Sequence, residues 1–293
     1  MPEDTEAVVP AAPRAEATAL LRWAVATLPA PSPETEARTL LAYVLGRSPA
    51  ELIMVGTVGA ADARRYAEVI AERAAGTPLH HLTGVAHFRH STLRVGPGVF
   101  SPRPETEVMT GHVITELHRL IADGVTPVVA DLCTGSGAIA RAITDEVPGI
   151  NLHACELSED ALSYAMDNLA GTGADLVQGD LADVFGELDG TVDVVVCNPP
   201  YIPLEAWESV APDVRDHDPH LALFSGQDGL DAMRVLAVTA ARLLRPGGLV
   251  AAEHAEVQHA SAVEIFVAHG SWTAVADHLD LTGRPRFVTA RRR

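Results

Sequence analysis

Two segments of the sequence carry the residue types best suited to chemistry, and the first is a glycine-rich turn. Asp131-Leu132-Cys133-Thr134-Gly135-Ser136-Gly137 follows a hydrophobic run and precedes a helical pattern that begins at Ala138. Small residues let the backbone turn sharply and approach a ligand, and the free N–H groups at the helix start face that ligand. Glu156 ends the next hydrophobic run, where a carboxylate can accept hydrogen bonds from two ribose hydroxyls. The pattern favours a nucleoside-type cofactor over a plain strand-to-helix turn.

The acid at the start of this turn narrows the choice of cofactor. A dinucleotide fingerprint needs the G-x-G-x-x-G pattern, whereas this turn has only Gly135 and Gly137. Asp131 would repel a pyrophosphate and suits a cationic amino-acid group. S-adenosylmethionine has a ribose, an ammonium and a sulfonium, so it is the cofactor that the pattern favours. Further along, Asp180 and Leu181 would hold the adenine, or Asp180 would simply cap a helix, and both interpretations fit the sequence equally well.

The second segment is Asn198-Pro199-Pro200-Tyr201, which follows another hydrophobic run. Two consecutive prolines remove backbone donors and fix φ, so the segment is rigid and presents bare carbonyl groups. The Asn198 side-chain oxygen and one such carbonyl can accept both hydrogens of a planar –NH₂ group, on which Tyr201 can stack. The alternative is a proline-stiffened strand exit, and the position beside the expected cofactor favours the binding role.

The elements that must position these segments alternate between strands and helices. Short buried strands are expected at Val128–Asp131, Leu152–Glu156, Leu176–Asp180, Val192–Cys197, Leu249–Glu253, Trp272–His278 and Arg286–Ala290. Helix-length segments separate the first four, Leu230–Leu244 is expected to be helical, and Gly247-Gly248 is expected to be a turn. Such alternation predicts an α/β fold with a mostly parallel sheet covered by helices on both faces.

The rest of the chain divides into three further segments. Residues 1–14, mostly Ala, Pro and acids, predict a flexible leader. Residues 15–76 predict a small helical domain, in which Ser32-Pro33-Glu34 provides a helix start. Residues 77–107 predict a hairpin or linker that leads into the α/β domain at 108–293.

Composition excludes several classes of function. All 21 basic residues are arginine, so a phosphate loop with its lysine, a lysine–pyridoxal Schiff base and a kinase lysine are excluded. Against 39 acids they leave a net charge of −18, which argues against direct binding of nucleic acid. There is no G-x-S-x-G elbow, and no ligand set for a metal site is predicted.

The cysteines and the hydropathy pattern bear on the compartment. The three cysteines are odd in number, lie far apart in the sequence and form no C-x-x-C, which is typical of reduced thiols. The acidic N-terminus lacks the features of a signal peptide, and no apolar run approaches about 18 residues. We therefore expect a cytoplasmic protein without membrane contact.

Taken together, these segments resemble the HemK/PrmC type of protein-(glutamine-N5) methyltransferase, which acts on peptide-chain release factors. The resemblance spans about residues 20–290 and rests on Thr77–Phe88, Phe100–Glu107 with its P-R-P-E-T-E, Asp131–Gly137, Asn198–Pro203, Ala222–Leu230 and Asp280–Arg284. Two positions depart from the family pattern. Cys133 stands where glycine is usual, and Arg89-His90 replaces a common Tyr-Gly.

The resemblance implies a Rossmann-like class I S-adenosylmethionine-dependent methyltransferase domain with a small helical N-terminal domain that grips the release factor. It implies that the cofactor is bound by Asp131, Cys133, Thr134, Gly135, Ser136, Gly137, Glu156, Asp180, Leu181 and Asn198, with Phe100 at its border. It also implies that the glutamine of the G-G-Q motif of class-1 release factors is held by Asn198, Pro199, Pro200 and Tyr201. Asn198, Pro199 and Tyr201 would be the catalytic residues.

Three other functions compete with this one. A sister enzyme would methylate a glutamine of a ribosomal protein, and an amino-methyltransferase would act on adenine in nucleic acid, against which the net charge argues. A third is a non-catalytic binding module that keeps the cofactor fold as a scaffold, which the intact Asn198–Tyr201 segment opposes.

Overall fold

The structure is a computed structural model that describes residues 14–209 and 212–293. It divides into two compact units, the first ending at Gly84 and the second spanning Val85–Arg293. The expected leader at 1–14 lies outside the described residues except for Arg14, which begins a strand. The expected linker at 77–107 is divided between the two units, because the boundary falls inside it.

The first unit is a helical cluster with one short antiparallel ladder. Its elements are β1 (Arg14–Glu16), α1 (Ala17–Thr27), α2 (Pro33–Val44), a 3₁₀ helix (Pro49–Met54), β2 (Thr57–Gly59), α3 (Ala60–Ala74) and α4 (Leu79–Thr83). Proline at the first position of α2 has the φ that a helix start requires. The apolar face of α2, including Leu40 and Leu41, packs in a core with Tyr66, whose hydroxyl donates to the Ala37 carbonyl at 2.9 Å. The β1–β2 ladder was not expected from the sequence.

The second unit contains the α/β fold. Its elements are β3 (Val85–Phe88), β4 (Ser91–Arg94), α5 (Thr106–Ala122), β5 (Val128–Leu132), α6 (Ala138–Glu146), β6 (Asn151–Glu156), α7 (Glu159–Leu169), β7 (Asp175–Gln178), β8 (Val192–Cys197), α8 (Pro212–Arg215), α9 (His220–Leu223), α10 (Asp231–Leu243), β9 (Leu244–Glu253), α11 (His259–His269), β10 (Trp272–Leu279) and β11 (Pro285–Arg292). Short 3₁₀ helices lie at Gly186–Leu188, Leu204–Ser209 and Glu256–Gln258.

The main sheet has seven strands in the order β10-β11-β9-β8-β5-β6-β7. Strands β5 to β9 run parallel, and β11 is antiparallel to both β9 and β10. This is the mostly parallel α/β sheet that the alternating pattern predicts, in the Rossmann-like form that the family resemblance implies. Chain order reverses at β5, which has β6 on one side and β8 on the other, and ligands bind at such a switch point.

Two buried layers of side chains cover the faces of this sheet. One lies under α5, α6 and α7 and includes Met109, Val113 and Leu117. The other lies under α10 and α11 and includes Leu236 and Phe266. All six residues of β8 are buried, as expected for a central parallel strand.

The largest difference from the expected elements is at Gly247-Gly248. Strand β9 begins at Leu244, immediately after α10, and includes these glycines. Its register against β8 shifts there, because Leu244 pairs with Val192 whereas Leu249 pairs with Val194. The predicted turn is therefore an irregularity within the strand. None of the helices in the described part of the chain is long and apolar enough to cross a membrane.

Candidate active site

A cavity of about 440 Å³ opens at the carboxyl edge of the parallel strands in the second unit. Its volume is in the range of sites that bind cofactors and other small molecules. Most of the site residues expected from the sequence line it: Phe100, Cys133, Thr134, Gly135, Ser136, Glu156, Asp180, Leu181, Asn198, Pro200 and Tyr201. Three others, Asp131, Gly137 and Pro199, are not among the described wall residues.

Asp131 lies beneath the glycine-rich turn and holds it in place. Its carboxylate oxygen Oδ2 accepts hydrogen bonds from Thr134 Oγ1 at 2.6 Å and from the Ala140 N–H at 3.1 Å. The side chain is fully buried, and this burial raises the pKa of Asp131 to about 7. The structure thus gives Asp131 a role in shaping the turn, and its direct contact with a cofactor stays a prediction.

Glycine at two positions of the turn has a definite cause. Gly135 and Gly137 have φ of +58° and +81°, in the left-handed region that favours glycine. A Cβ on Gly137 would also lie 3.2 Å from Leu169 Cγ, so this residue allows α6 to pack closely on α7.

Cys133 shares this left-handed conformation without being glycine. Its φ is 59°, which is uncommon for a residue with a Cβ. Cys133, which departs from the family's glycine, therefore adopts a backbone conformation that favours glycine, at the cost of backbone strain. The sheet register also places Leu132 opposite both Cys155 and Cys197, so the three cysteines meet at this edge as free thiols.

Glu156 connects the glycine-rich turn to the next loop. Its carboxylate accepts the Gly135 N–H at 2.8 Å through one oxygen and the Ser158 N–H at 2.9 Å through the other. Each carboxylate oxygen has a second lone pair, so Glu156 can hold these loops and still accept ligand hydroxyls. The residue is 9% exposed and lines the cavity, and its contact with a ribose stays a prediction.

Asp180 and Leu181 follow β7 at the same edge. Asp180 Oδ1 accepts the Ala182 N–H at 2.9 Å and so caps a turn, where one interpretation of the sequence expected a helix cap. Both residues also belong to the cavity wall. Turn capping and cavity lining therefore coexist at Asp180, and the adenine contact stays a prediction.

Asn198 and Tyr201 are linked through one buried carboxylate. The Asn198 amide nitrogen donates to Thr106 Oγ1 at 3.4 Å, and this hydroxyl donates to Glu253 Oε2 at 2.6 Å. The Tyr201 hydroxyl donates to Glu253 Oε1 at 3.0 Å. Glu253 ends β9, beside β8 in the sheet, and is only 1% exposed.

Charges inside the cavity affect two of these groups. Burial raises the pKa of Glu253, while its bonds from Thr106 and Tyr201 and the nearby Arg286 guanidinium favour the ionised form. Burial and then the negative charge of Glu253 raise the pKa of Tyr201. The Tyr201 phenol is therefore a hydrogen-bond donor at neutral pH.

The backbone after the second proline is held by a distant segment. The Tyr201 carbonyl accepts the Gln258 side-chain amide at 2.8 Å, and the same amide donates to the Asp228 carbonyl at 3.0 Å. Gly229 has φ of +78°, and a Cβ there would lie 2.2 Å from the Tyr201 carbonyl oxygen. Glycine at this position permits the close approach that fixes the segment.

The P-R-P-E-T-E run at 102–107 lies partly in the wall of the cavity. Arg103 and Glu105 line the cavity, and Arg103 pairs at 2.8 Å with Asp218. Glu107 instead accepts the Arg89 backbone N–H at 3.0 Å. Arg89, one of the two unusual hairpin residues, also pairs with Glu146 at 2.6 Å, which anchors the hairpin to α6.

Several cavity residues were not assigned to the site from the sequence, among them Thr106, Glu253 and Arg286. Glu253 had a usable signal, because an acid at the carboxyl end of a strand beside β8 must lie near Asn198. Thr106 lies inside a motif that was identified, but nothing local indicated that it would meet a carboxylate 147 residues away.

Comparison with known proteins shows which families the two parts of the chain match. Residues 19–84 match the PrmC N-terminal domain, and residues 90–211 match the methyltransferase small domain. The chain is 55% identical over 263 residues to a release factor glutamine methyltransferase of Streptomyces coelicolor, covering 89% of this chain and 92% of that protein.

Two further comparisons extend the range of relatives. A 4-amino-L-phenylalanine/4-methylamino-L-phenylalanine methyltransferase of Streptomyces pristinaespiralis is 41% identical over 261 residues, covering 88% of this chain and 87% of that one. The solved structure of the hMettl16 catalytic domain with an RNA hairpin superposes with a TM-score of 0.54 at 13% identity, covering 86% of this chain and 92% of that one. At that identity the likeness shows the fold alone.

Proposed function

The chain belongs to the family of release factor glutamine methyltransferases, and from this premise we propose its reaction. It transfers a methyl group from S-adenosylmethionine to the side-chain amide nitrogen N5 of a glutamine. The substrate is the G-G-Q motif of class-1 peptide-chain release factors, and the reaction takes place in the cytoplasm, where these factors act.

One observation carries this proposal. A single cavity is lined both by Glu156 with the glycine-rich turn and by Asn198 with Tyr201. The first set suits a ribose-bearing cofactor, because the carboxylate keeps unused lone pairs and the turn allows close backbone approach. The second set suits a planar –NH₂ group. A donor and an acceptor of the methyl group would therefore meet in one site.

The residues present fit S-adenosylmethionine. Glu156 would accept the ribose hydroxyls, Asp180 and Leu181 would flank the adenine, and the glycine-rich turn would lie along the amino-acid part. Bound there, the cofactor supplies a methyl group already activated by its sulfonium. The acidic wall suits a ligand with two positive centres.

The chain's own residues then have to make a poor nucleophile react. An amide nitrogen is weakly nucleophilic because its lone pair is delocalised into the carbonyl, so catalysis here is positioning and electrostatics. The Asn198 side-chain oxygen and the Pro199 carbonyl would accept the two N–H groups and stabilise positive charge as the nitrogen attacks. Tyr201 would stack on the amide plane. No strong base is required, because a proton can leave after the transfer.

The first unit would recognise the release factor. Its 3₁₀ helix exposes Ile53 and Met54 at 85% and 82%, which is unusual for large apolar side chains and typical of contact surfaces. The net charge of −18 disfavours direct contact with nucleic acid or an anionic membrane surface and favours a neutral or basic protein.

The test is incubation with labelled S-adenosylmethionine and purified class-1 release factors, followed by mass spectrometry of the G-G-Q peptide. The proposal expects label on the glutamine of that peptide. Parallel reactions contain ribosomal proteins, DNA and 4-amino-L-phenylalanine, the last because of the Streptomyces pristinaespiralis relative. Label only in one of these would overturn the proposed substrate.

A further inference from the structure

We propose that Thr106 and Glu253 are positioning residues that orient the Asn198 amide, so that its carbonyl oxygen faces the substrate and its nitrogen faces away. This inference rests on the proposed function, since it assumes that an –NH₂ group is the methyl acceptor. It assigns a role to two residues that do not themselves contact the substrate amide.

The argument begins with the direction of the hydrogen bonds. The Thr106 hydroxyl donates its single proton to Glu253 Oε2 at 2.6 Å, where the carboxylate oxygen accepts it. After that donation the Thr106 oxygen can only accept. The Asn198 atom that approaches it at 3.4 Å must therefore be the –NH₂ nitrogen. This leaves the Asn198 carbonyl oxygen for the cavity.

These two hydrogen bonds give the Asn198 amide its preferred orientation. The terminal torsion of asparagine is broad and roughly two-fold, so its nitrogen and oxygen exchange places easily. A flipped Asn198 would present donors to the donors of the substrate amide, which is repulsive. The hydrogen bonds that join Asn198, Thr106 and Glu253 are shielded from solvent. Thr106 is 4% exposed and Glu253 is 1% exposed, so water has little access to compete for them.

The same carboxylate also fixes the other end of the segment. The Tyr201 hydroxyl donates to Glu253 Oε1 at 3.0 Å, which sets the direction of the ring. Glu253 thereby fixes both the Asn198 amide, through Thr106, and the Tyr201 ring. If the bond between Thr106 and Glu253 only tied α5 to β9, its loss would slow methyl transfer by the same factor whether or not Asn198 is present.

A double-mutant cycle separates the two roles. Single-turnover methyl transfer to a release factor is measured, at saturating S-adenosylmethionine, for Thr106→Val, Asn198→Ala and the double variant. We expect Thr106→Val to slow transfer about tenfold or more in the wild-type background, because the acceptor for the transition state is then misdirected. In the Asn198→Ala background the same change should slow transfer less than about twofold, because residues acting through one another are not additive.

Two further variants serve as controls. Thr106→Ser keeps the hydroxyl and should recover most of the rate that Thr106→Val loses. Thr110→Val removes a buried hydroxyl one turn along the same helix, bonded to the Thr106 carbonyl at 3.0 Å, and should not change the transfer rate. Cofactor titration and thermal unfolding accompany every variant.

Glu253→Gln keeps the experiment decisive if Thr106→Val does not fold. Its volume is unchanged, but its amide can donate to Thr106, which reverses the chain and flips Asn198. We expect Glu253→Gln to slow transfer in the wild-type background and to cause little further loss in the Asn198→Ala background. Equal fold losses in both backgrounds, or no loss in the wild-type background, would overturn the positioning role. Failure of the wild-type enzyme to methylate the release factor would instead overturn the proposed function.

Discussion

At the scale of single residues, the site relies on side chains that hold loops as much as on side chains that face the cavity. Asp131 and Glu156 both accept backbone N–H groups around the glycine-rich turn. The sequence placed both acids at the carboxyl ends of strands, and they lie there in β5 and β6, while their contact with a cofactor stays a prediction. It did not indicate that Asp131 points beneath the turn, since that depends on where α6 packs.

Cys133 is the clearest case of local strain. We predict that Cys133→Gly is more stable than Cys133→Ala by about 1–2 kcal/mol, because only glycine adopts a φ near 59° without steric cost. Both variants lose the same sulfur, so their difference isolates the backbone. Urea unfolding measures it, and Gly135→Ala, at φ +58° with open space around its Cβ, is the matched control and should lose a similar amount. Equal stability of the two Cys133 variants would refute the strain.

Glu156 tests the cofactor assignment. Glu156→Ala should weaken S-adenosylmethionine binding roughly tenfold or more, because hydrogen bonds to a charged group contribute about 1.5–3 kcal/mol each. Calorimetric titration measures the affinity. Asp123→Ala, which removes an exposed carboxylate paired with Arg119 at 2.8 Å, is the control and should bind normally. Unchanged affinity in Glu156→Ala would remove the ribose assignment.

At the scale of elements, the strands of the main sheet could be predicted because they are short hydrophobic runs separated by turns and helix-length segments. The β1–β2 ladder could not, because three residues at Arg14–Glu16 pair with three at Thr57–Gly59 and neither has a local strand pattern. The bond between Thr106 and Glu253 could not be predicted either, because it joins α5 to β9 only after the sheet has formed. The local sequence pattern thus predicts where N-P-P-Y lies, but not that Thr106, Glu253 and Gln258 hold it in place.

Gly229 tests whether those supports matter. Gly229→Ala should slow methyl transfer by about tenfold or more, because its Cβ would lie 2.2 Å from the Tyr201 carbonyl oxygen and must displace the segment that we propose holds the substrate. Gly173→Ala is the matched control, since its φ of +79° imposes the same backbone cost with nothing within 4 Å. Both variants should lose stability, but only Gly229→Ala should lose activity. Equal transfer rates in the two variants would contradict this account of Gly229.

At the scale of the whole molecule, the chain divides into two units that carry an uneven share of the charge. Residues 1–80 hold 7 arginines against 10 acids, a net charge of −3, so −15 of the −18 belongs to the rest of the chain. The division into a helical part and an α/β part followed from hydrophobic periodicity. Its boundary did not, because residues 77–107 contain pieces of both units.

The charge makes a prediction about association with the protein substrate. Raising ionic strength from about 0.05 M to about 0.5 M should raise the KM for the release factor severalfold, since screening removes long-range attraction to an acidic enzyme. The affinity for S-adenosylmethionine, measured at the same salt concentrations, should change much less because the cavity is partly enclosed. A KM that is independent of salt would show that the net charge does not contribute to association with the release factor.

The central claim is that Asn198 accepts a hydrogen bond from the reacting amide, and single-turnover methyl transfer by Asn198 variants tests it most directly. Asn198→Ala should slow transfer about 10²–10³-fold, the usual loss for a group placed to stabilise a transition state. Asn198→Asp should bind S-adenosylmethionine at least as tightly as the wild type, because a carboxylate stabilises the sulfonium, yet should transfer far more slowly. Transfer by Asn198→Ala within about threefold of the wild-type rate, against that 10²–10³-fold expectation, would contradict the claim and make Asn198-Pro199-Pro200-Tyr201 a scaffold.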